Sequence, residues 1–206
     1  NKIIYIPVED MPDGDDPYKR ENFQRNAISR GLKKTNNDDI IIISDLDEIP
    51  NPNFISNFNP KNKFAVFKQK HFYYKLNLQS QNNPFWFGSR ICVKRYLKSP
   101  QWLRDLKFKK YPFWRLDKPK NLQIIENGGW HFAYLHSAEN ISKKIKSFAH
   151  GEFNLKHLTD EEEIKKRIEK RQDVFNRGYK IEKVEIDDSF PDYVRYNKEL
   201  LKDWII

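Results

Sequence analysis

Four consecutive isoleucines followed by an acidic sequence constrain the fold of this chain more than any other feature. Residues 40–43 are all Ile, and the segment Ser44 to Glu48, with the sequence SDLDE, follows directly. A β-branched run without polar alternation is typical of a strand that is covered on both faces, as in the middle of a parallel sheet. The run therefore predicts a central parallel strand with acidic residues at its carboxyl end.

The residues before this run predict a βαβ unit. Ile3 to Val8 has the composition of a strand, and Asp16 with Pro17 is typical of the N-cap and first position of a helix. From Tyr18 to Lys34, apolar residues recur at helical spacing. Because α/β sheets bind ligands outside the carboxyl ends of their strands, this order predicts a ligand site at the acidic sequence.

The remainder of the chain predicts more strands and then helices. One helix is capped by Ser137, and another begins at Thr159 with a capping box to Glu162 and ends near Gly178. The chain of 206 residues contains no repeat or linker, so we expect one domain over 1–206 in which 156–206 is a helical covering segment. Strand patterns cover 64–67, 71–76, 89–93 and 122–125.

Composition narrows the class of protein. Charged residues make up 33% of the chain and the mean hydropathy is −0.88, so we expect a soluble, cytoplasmic protein without a membrane span. The single cysteine, Cys92, excludes an internal disulfide. A net charge of +9 is compatible with nucleic acid, an anionic membrane surface or an anionic small substrate.

The acidic sequence has the chemistry of a metal site. Asp45 and Asp47 are two residues apart at the end of a predicted buried strand, where two carboxylates repel each other unless a positive charge neutralises them. Mg²⁺ and Mn²⁺ bind carboxylate oxygens and share them with substrate phosphates. The pattern therefore predicts a divalent ion and a phosphate-bearing substrate.

Four segments resemble glycosyltransferase family 17, the β-1,4-mannosyl-glycoprotein β-1,4-N-acetylglucosaminyltransferase family. They are Arg20 to Ala27 (RENFQRNA), Asp39 to Pro50 (DIIIISDLDEIP), Gly128 to Phe132 and Ile145 to Asn154, and together they extend the resemblance over most of 1–155. The resemblance implies an α/β fold of the GT-A type with a mostly parallel central sheet. It also implies an inverting catalytic domain that uses a nucleotide-sugar donor, UDP-N-acetylglucosamine in the best-known members, a glycan acceptor and Mn²⁺ or Mg²⁺.

The resemblance also implies roles for individual residues. Asp45 and Asp47 would bind the metal ion and the diphosphate, with His131 and His150 as further metal ligands. The general base of the inverting reaction would be Glu152 or, as second candidate, Glu48. The implied donor-binding residues are Arg20, Arg25, Asn26, Asp45, Gly128, Gly129 and Trp130.

The beginning of the chain departs from the GT-A pattern. GT-A domains begin with a strand and loop that hold the nucleotide base, and this chain starts after that element. We therefore expect an incomplete base pocket and a gap beside the Ile3 to Val8 strand. The Golgi lumen would be the location if the chain belongs to a eukaryotic type II membrane protein.

Two other functions compete with this hypothesis. An aspartate-nucleophile phosphohydrolase also begins with Asp-x-Asp after a buried strand, although Ile49 stands where such enzymes usually have Thr or Val. A basic module that binds nucleic acid would explain the net charge of +9, but the chain has no helix-turn-helix, RNP or zinc-finger pattern. We therefore expect no nucleic-acid partner.

Overall fold

The computed structural model describes residues 2–14, 16–107, 114, 122–147 and 151–206, and these form a mixed α/β structure. The helices are α1 (Pro17–Ala27), α2 (Pro100–Arg104), α3 (Ala138–Ser147), α4 (Lys156–Thr159), α5 (Glu161–Glu169) and α6 (Asp192–Tyr196). The strands are β1 (Ile40–Ile43), β2 (Glu48–Pro50), β3 (Phe64–Tyr73), β4 (Leu78–Ser80), β5 (Phe85–Val93), β6 (Gln123–Ala133) and β7 (Ile181–Lys183).

Strand β3 is the centre of a seven-stranded sheet. It pairs with β5 and then β4 along one edge and with β6 along the other. Beyond these neighbours, β1 pairs with β5, β7 with β4 and β2 with β6. Among the described strand pairs, β3 with β6 is parallel and the others are antiparallel, so the expectation of a mostly parallel sheet is wrong. The GT-A assignment itself stays a prediction.

The surroundings of β1 show why the isoleucine run does not predict the direction of this strand relative to its neighbour. Ile41 and Ile43 are buried in one apolar cluster, and Ile42 packs against another that contains Ile91. Ile40 is 43% exposed and Ile42 is half-buried, so one face of β1 is covered and the other is covered only in part. However, β1 pairs with β5 alone in the described sheet and runs antiparallel to it. The apolar content of a strand indicates how far its faces are buried, but it does not indicate whether the neighbouring strand is parallel or antiparallel.

Helix α1 begins where the sequence predicts, but no strand precedes it. The Asp16 side chain accepts hydrogen bonds from the backbone amides of Tyr18 and Lys19, and a 3-10 helix over Ile28–Leu32 continues α1. The segment 3–8 contains no strand, so the predicted βαβ unit does not form. This segment makes no strand pairing with the described sheet and is therefore not one of its strands.

Several other elements extend or shift the predicted ones. The strand patterns at 64–67 and 71–76 belong largely to the single strand β3, and the pattern at 122–125 is the start of the longer β6. Helix α5 is capped by Asp160, whose carboxylate accepts from the amide of Glu163, whereas the Thr159 hydroxyl bonds back to Leu155. The C-terminal region 156–206 also contains β7, so it extends the sheet as well as covering it.

The helices after β6 cover the end of the sheet that carries β4 and β7. Ile141 and Ile145 of α3 and Ile164 of α5 are fully or almost fully buried in one cluster with Leu78 and Ile181. Ser137 caps α3 with a long hydrogen bond from the amide of Asn140. Within the described ranges, no helix is both long enough and apolar enough to cross a lipid bilayer.

Candidate active site

A cleft of about 770 Å³ lies beside the acidic sequence that follows β1. α1, β5, β6 and α3 each contribute at least one side chain to its walls. The volume is within the range of small-molecule pockets in proteins. The residues that line it include Glu21, Asp45, Leu46, Asp47, Glu48, Trp86, His131, Tyr134 and Lys144.

Two arginines contact the Asp45 carboxylate. Arg25 of α1 donates from Nη2 to Oδ1 at 3.3 Å, and Arg104 at the end of α2 donates from Nη2 to Oδ2 at 2.8 Å. The same Nη2 of Arg25 lies 2.8 Å from Glu21 Oε1. Both arginine side chains are largely buried, so these ion pairs are less screened than pairs on the surface. Protein cations therefore neutralise Asp45.

Asp47 has different partners, although it is only two residues away. Lys144 Nζ lies 2.9 Å from Oδ2, and His131 Nε2 lies 3.6 Å from Oδ1. Burial raises the pKa of the Asp47 carboxyl, but its contacts with His131 and Lys144 outweigh burial and hold that pKa well below the usual range. Asp47 is therefore a stable anion at the wall of the cleft.

Glu48 is the most deeply buried carboxylate of the acidic sequence, with 1% of its side chain exposed. Oε1 accepts from Trp86 Nε1 at 2.7 Å, and Oε2 accepts from Ser89 Oγ at 3.2 Å and from Arg104 Nη1 at 2.9 Å. The backbone amide of Asp45 also donates to Oε2. Because both oxygens are occupied by these donors, the geometry does not support Glu48 as a general base.

An aromatic stack forms the wall of the cleft next to Asp47. The ring of His131 stacks on Trp86 and on His71, with centroids 4.8 Å apart in each pair, and the His71 and Trp86 rings are themselves 5.6 Å apart. Burial and the neighbouring His131 lower the pKa of His71 to about 3, so His71 is neutral. Among the described residues, His131 Nδ1 is buried without a hydrogen-bond partner. Nε2 is therefore the nitrogen of His131 that faces Asp47.

The donor set partly fits the divalent ion that the sequence implies. No group of three or more His, Cys, Asp or Glu side chains in the described ranges is arranged to hold one ion. Mg²⁺ sites that act on phosphates need only one or two carboxylates, because water and phosphate oxygens complete the coordination. The Asp47–His131 pair meets that smaller requirement. Asp45 faces its two arginines, so a shared ion between Asp45 and Asp47 stays a prediction.

The sequence-predicted residues on α1 have three different positions. Arg25 contacts Asp45, as described above. Asn26 Oδ1 accepts a hydrogen bond from the backbone amide of Gln101 at 3.0 Å, so Asn26 joins α1 to α2. Arg20 is exposed on α1 and is not among the described residues that line the cleft. Of the three, only Arg25 reaches the acidic sequence.

Gly128, Gly129 and Trp130 are not among the described residues that line the cleft, and their expected role at the donor stays a prediction. A Cβ on Gly129, whose φ is +129°, would lie 2.0 Å from the carbonyl oxygen of Ile49 in β2, and one on Gly128 would meet the backbone of β3. The glycines thus allow strands to approach each other. Trp130 is buried in a cluster on the opposite face, because successive side chains in a strand alternate and His131 faces the cleft.

The remaining two predicted residues lie away from the described cleft or outside the described residues. Glu152 is exposed in a short 3-10 helix, Gly151–Phe153. Burial and the nearby Glu152 carboxylate raise the pKa of Tyr18 on α1, which places Glu152 close to the start of that helix. Glu152 is not among the residues that line the cleft. His150 lies outside the described residues.

Sequence reasoning missed four side chains that the fold brings to the site. Trp86 and His71 were assigned to no site, although an aromatic or imidazole within a strand is a weak signal for a binding wall. Lys144 stands in no motif, and its helical position near the buried Ile145 was the available signal. Arg104 has no motif around it, since it meets Glu48 from 56 residues away.

A second groove of about 490 Å³ adjoins the cleft. Ile4, Ile6 and Val8 form one side of it, and residues of α1 form the other. Asp45 and Leu46 line both the groove and the cleft, so the two spaces meet at the acidic sequence. Asp45 therefore has open space on two sides.

Comparison with known proteins gives one finding. The sequence model described as Glycosyltransferase family 17 matches residues 1–178. This range contains all residues that line the cleft and its adjoining groove. No curated protein and no solved structure matches the chain.

Proposed function

The chain belongs to glycosyltransferase family 17, and from this premise we propose that it transfers N-acetylglucosamine from UDP-N-acetylglucosamine to a glycan hydroxyl, with inversion at the anomeric carbon and with a divalent ion. The observation that supports this proposal is that acidic and basic side chains lie next to each other around one cleft. Asp47 and His131 face it together with Lys144, and Arg25 lies beside Asp45. A diphosphate with its counter-ion needs both signs of charge within a few ångströms.

The donor would lie across the junction of the two cavities. The nucleoside would occupy the groove between Ile4, Ile6 and α1, where apolar side chains suit the faces of a base and a ribose. The diphosphate would then lie at the acidic sequence, within reach of Lys144 and Arg25. This orientation is supported by the shared lining of groove and cleft at Asp45.

The residues proposed to hold Mn²⁺ or Mg²⁺ are Asp47 and His131. When bound, such an ion supplies positive charge that stabilises the leaving diphosphate. Lys144 would add a charge-assisted hydrogen bond to the same group. Asp45 would act mainly by holding Arg25 beside the diphosphate, because its two oxygens already accept from Arg25 and Arg104.

The acceptor would enter over the aromatic wall. Trp86 and Tyr134 line the cleft, and an aromatic face packs well against the C–H face of a sugar ring. Inverting transfer needs a base that removes the proton of the attacking hydroxyl. Since Glu48 is buried and fully hydrogen-bonded, Glu152 keeps that role in the proposal, as an exposed carboxylate near α1.

Donor binding by calorimetry tests this function directly. We expect binding of UDP-N-acetylglucosamine in the presence of Mn²⁺ and weaker binding of GDP-mannose or UDP-galactose. Mn²⁺-dependent transfer to an N-glycan acceptor, followed by mass spectrometry, would then identify the product. The proposal is wrong if none of the three nucleotide sugars binds with or without the ion. Hydrolysis of an aryl phosphate with Mg²⁺ would instead favour the phosphohydrolase.

A further inference from the structure

Arg104 joins two carboxylates of the acidic sequence through one guanidinium. Nη1 donates to Glu48 Oε2 at 2.9 Å, while Nη2 contacts both Asp45 Oδ2, at 2.8 Å, and Glu48 Oε1. Only 13% of the Arg104 side chain is exposed. Burial lowers the pKa of Arg104, but the two carboxylates outweigh burial and raise it, so the guanidinium remains charged.

The acidic sequence needs this guanidinium because the Glu48 carboxylate is buried. Within the described ranges, the other donors to its carboxylate are Trp86 Nε1, Ser89 Oγ and the backbone amide of Asp45, and all three are neutral. A buried charge whose ionic partner is removed is strongly destabilising. The nearby Arg90 does not replace Arg104, since its guanidinium donates to the backbone carbonyls of Phe87 and Gly88.

The contacts of Glu48 continue to the part of the cleft that contains Asp47. Glu48 Oε1 fixes the indole of Trp86, and that indole stacks on His131. His131 Nε2 in turn faces Asp47 Oδ1. Arg104 therefore contacts Asp45 directly and is connected to the Asp47–His131 pair through Glu48 and Trp86.

We propose that Arg104 is a positioning residue, which holds the Asp45 carboxylate and, through Glu48 and Trp86, the His131 ring in the arrangement that transfer requires. This inference rests on the proposed function for its effect on catalysis. The link from Arg104 to Trp86 is independent of that function. A lysine at position 104 keeps the charge but loses the planar fork that binds two carboxylates at once.

Arg104→Lys separates positioning from charge. We expect its melting temperature to stay within a few degrees of the wild type, while kcat falls by about tenfold to a hundredfold because reacting groups are misplaced. The KM for the donor should change much less than kcat. The matched control is Arg95→Lys, since Arg95 pairs with Asp38 at the surface, and this variant should behave as the wild type.

The double variant Glu48→Gln with Arg104→Met removes the buried ion pair as a unit. We expect it to be more stable than Arg104→Met alone, because no buried carboxylate is left unpaired. Its transfer rate should remain low, since Asp45 has still lost the guanidinium. Recovery of both stability and transfer in the double variant would overturn the proposal, because Arg104 would then serve only to neutralise Glu48.

The indole N–H resonance of Trp86 gives a readout that does not depend on activity. It is assigned by its loss in Trp86→Phe, and we expect it to shift in Arg104→Lys while the resonance of Trp130 does not. If the wild type binds no nucleotide sugar but this resonance shifts, the proposed function fails and the link from Arg104 to Trp86 stands. An unchanged Trp86 resonance in Arg104→Lys overturns the positioning role.

Discussion

The two faces of β6 differ in what they contribute to the molecule. On the cleft face, His131 lies beside His71 and opposite Glu48, so the buried groups are polar or charged and are held by specific partners. On the other face, Trp130 packs with Phe72 and Phe190 in an apolar cluster. His131 and Trp130 are adjacent in sequence. Two adjacent residues of β6 therefore lie on different surfaces: His131 lines the polar cleft, and Trp130 belongs to an apolar cluster.

The difference also concerns how each face tolerates substitution. An apolar cluster loses stability roughly in proportion to the volume removed. A paired polar site loses little when both partners are removed together, but much when one partner is left buried alone. Substitutions on the cleft face should thus change activity more than stability if ion pairs are kept matched, and the opposite should hold on the face of Trp130.

The largest expected effect comes from Asp47→Asn. The change keeps the shape but removes the charge that faces the cleft, so we expect kcat/KM to fall by about a hundredfold or more. The lowered pKa of Asp47 means that its ionised form stabilises the fold, fully at neutral pH and progressively less as the pH falls through that pKa. The variant should therefore melt slightly below the wild type near pH 7, as scanning calorimetry can measure.

Asp192→Asn is the matched control for this variant. Asp192 also pairs with a cation, Arg195, at 2.9 Å, but it lies on the side of Trp130. Its transfer rate should equal that of the wild type. If both asparagine variants lose activity equally, charge on either side of the sheet matters and the contrast between the faces is lost.

Substituting one tryptophan on each face of the sheet tests the comparison between the faces, with an expected effect of intermediate size. The indole nitrogen of Trp86 donates to Glu48, and that of Trp130 donates to the carbonyl of Ser189 at 2.9 Å. Trp86→Phe and Trp130→Phe each lose one such bond, and each should lower the free energy of unfolding by about 1–3 kcal/mol. Transfer should fall about tenfold in Trp86→Phe alone, because only that indole supports the cleft.

Urea unfolding and a transfer assay on the folded fraction measure the two effects separately. Loss of transfer in Trp130→Phe at full folding would mean that the packed face also shapes the cleft. Unchanged transfer in Trp86→Phe would show that the His131 ring keeps its position without the indole.

Local chemistry made some features predictable from the sequence. Asp16 caps α1 as predicted, because an N-cap depends on neighbouring residues only. The burial of Ile41 and Ile43 was also predictable, since it needs only the apolar pattern. The direction of that strand depends on β5, about fifty residues later, and no local pattern encodes it. The cap at Asp160 rather than Thr159 shows how two adjacent capping residues compete.

The candidate site also contains some residues that a local motif predicts and others that only tertiary packing brings to it. The acidic sequence and His131 were found because each stands in a recognisable motif. Trp130 lies on the face opposite His131, and alternation in a strand fixes which residues face together but not which face meets the cleft. Arg104 and Lys144 reach the acidic sequence from α2 and α3, and such long-range ion pairs follow from tertiary packing alone.

The smallest expected effect distinguishes two adjacent lysines on α3. Lys144 Nζ lies 2.9 Å from Asp47 and above the ring of Tyr134, whereas Lys143 pairs with Glu139 at the exposed surface. Lys144→Gln should reduce kcat/KM by about threefold to fivefold, because the Lys144 side chain is 40% exposed and water weakens its charge-assisted hydrogen bond to the diphosphate. Lys143→Gln removes the same charge one residue away and should leave transfer unchanged.

Raising the salt concentration should weaken donor binding in the wild type and in Lys143→Gln more than in Lys144→Gln, because the last has already lost the contact that salt screens. Equal loss of activity in both glutamine variants would instead assign the effect to the overall positive charge of α3, and the cleft would no longer differ from the rest of the surface in that respect.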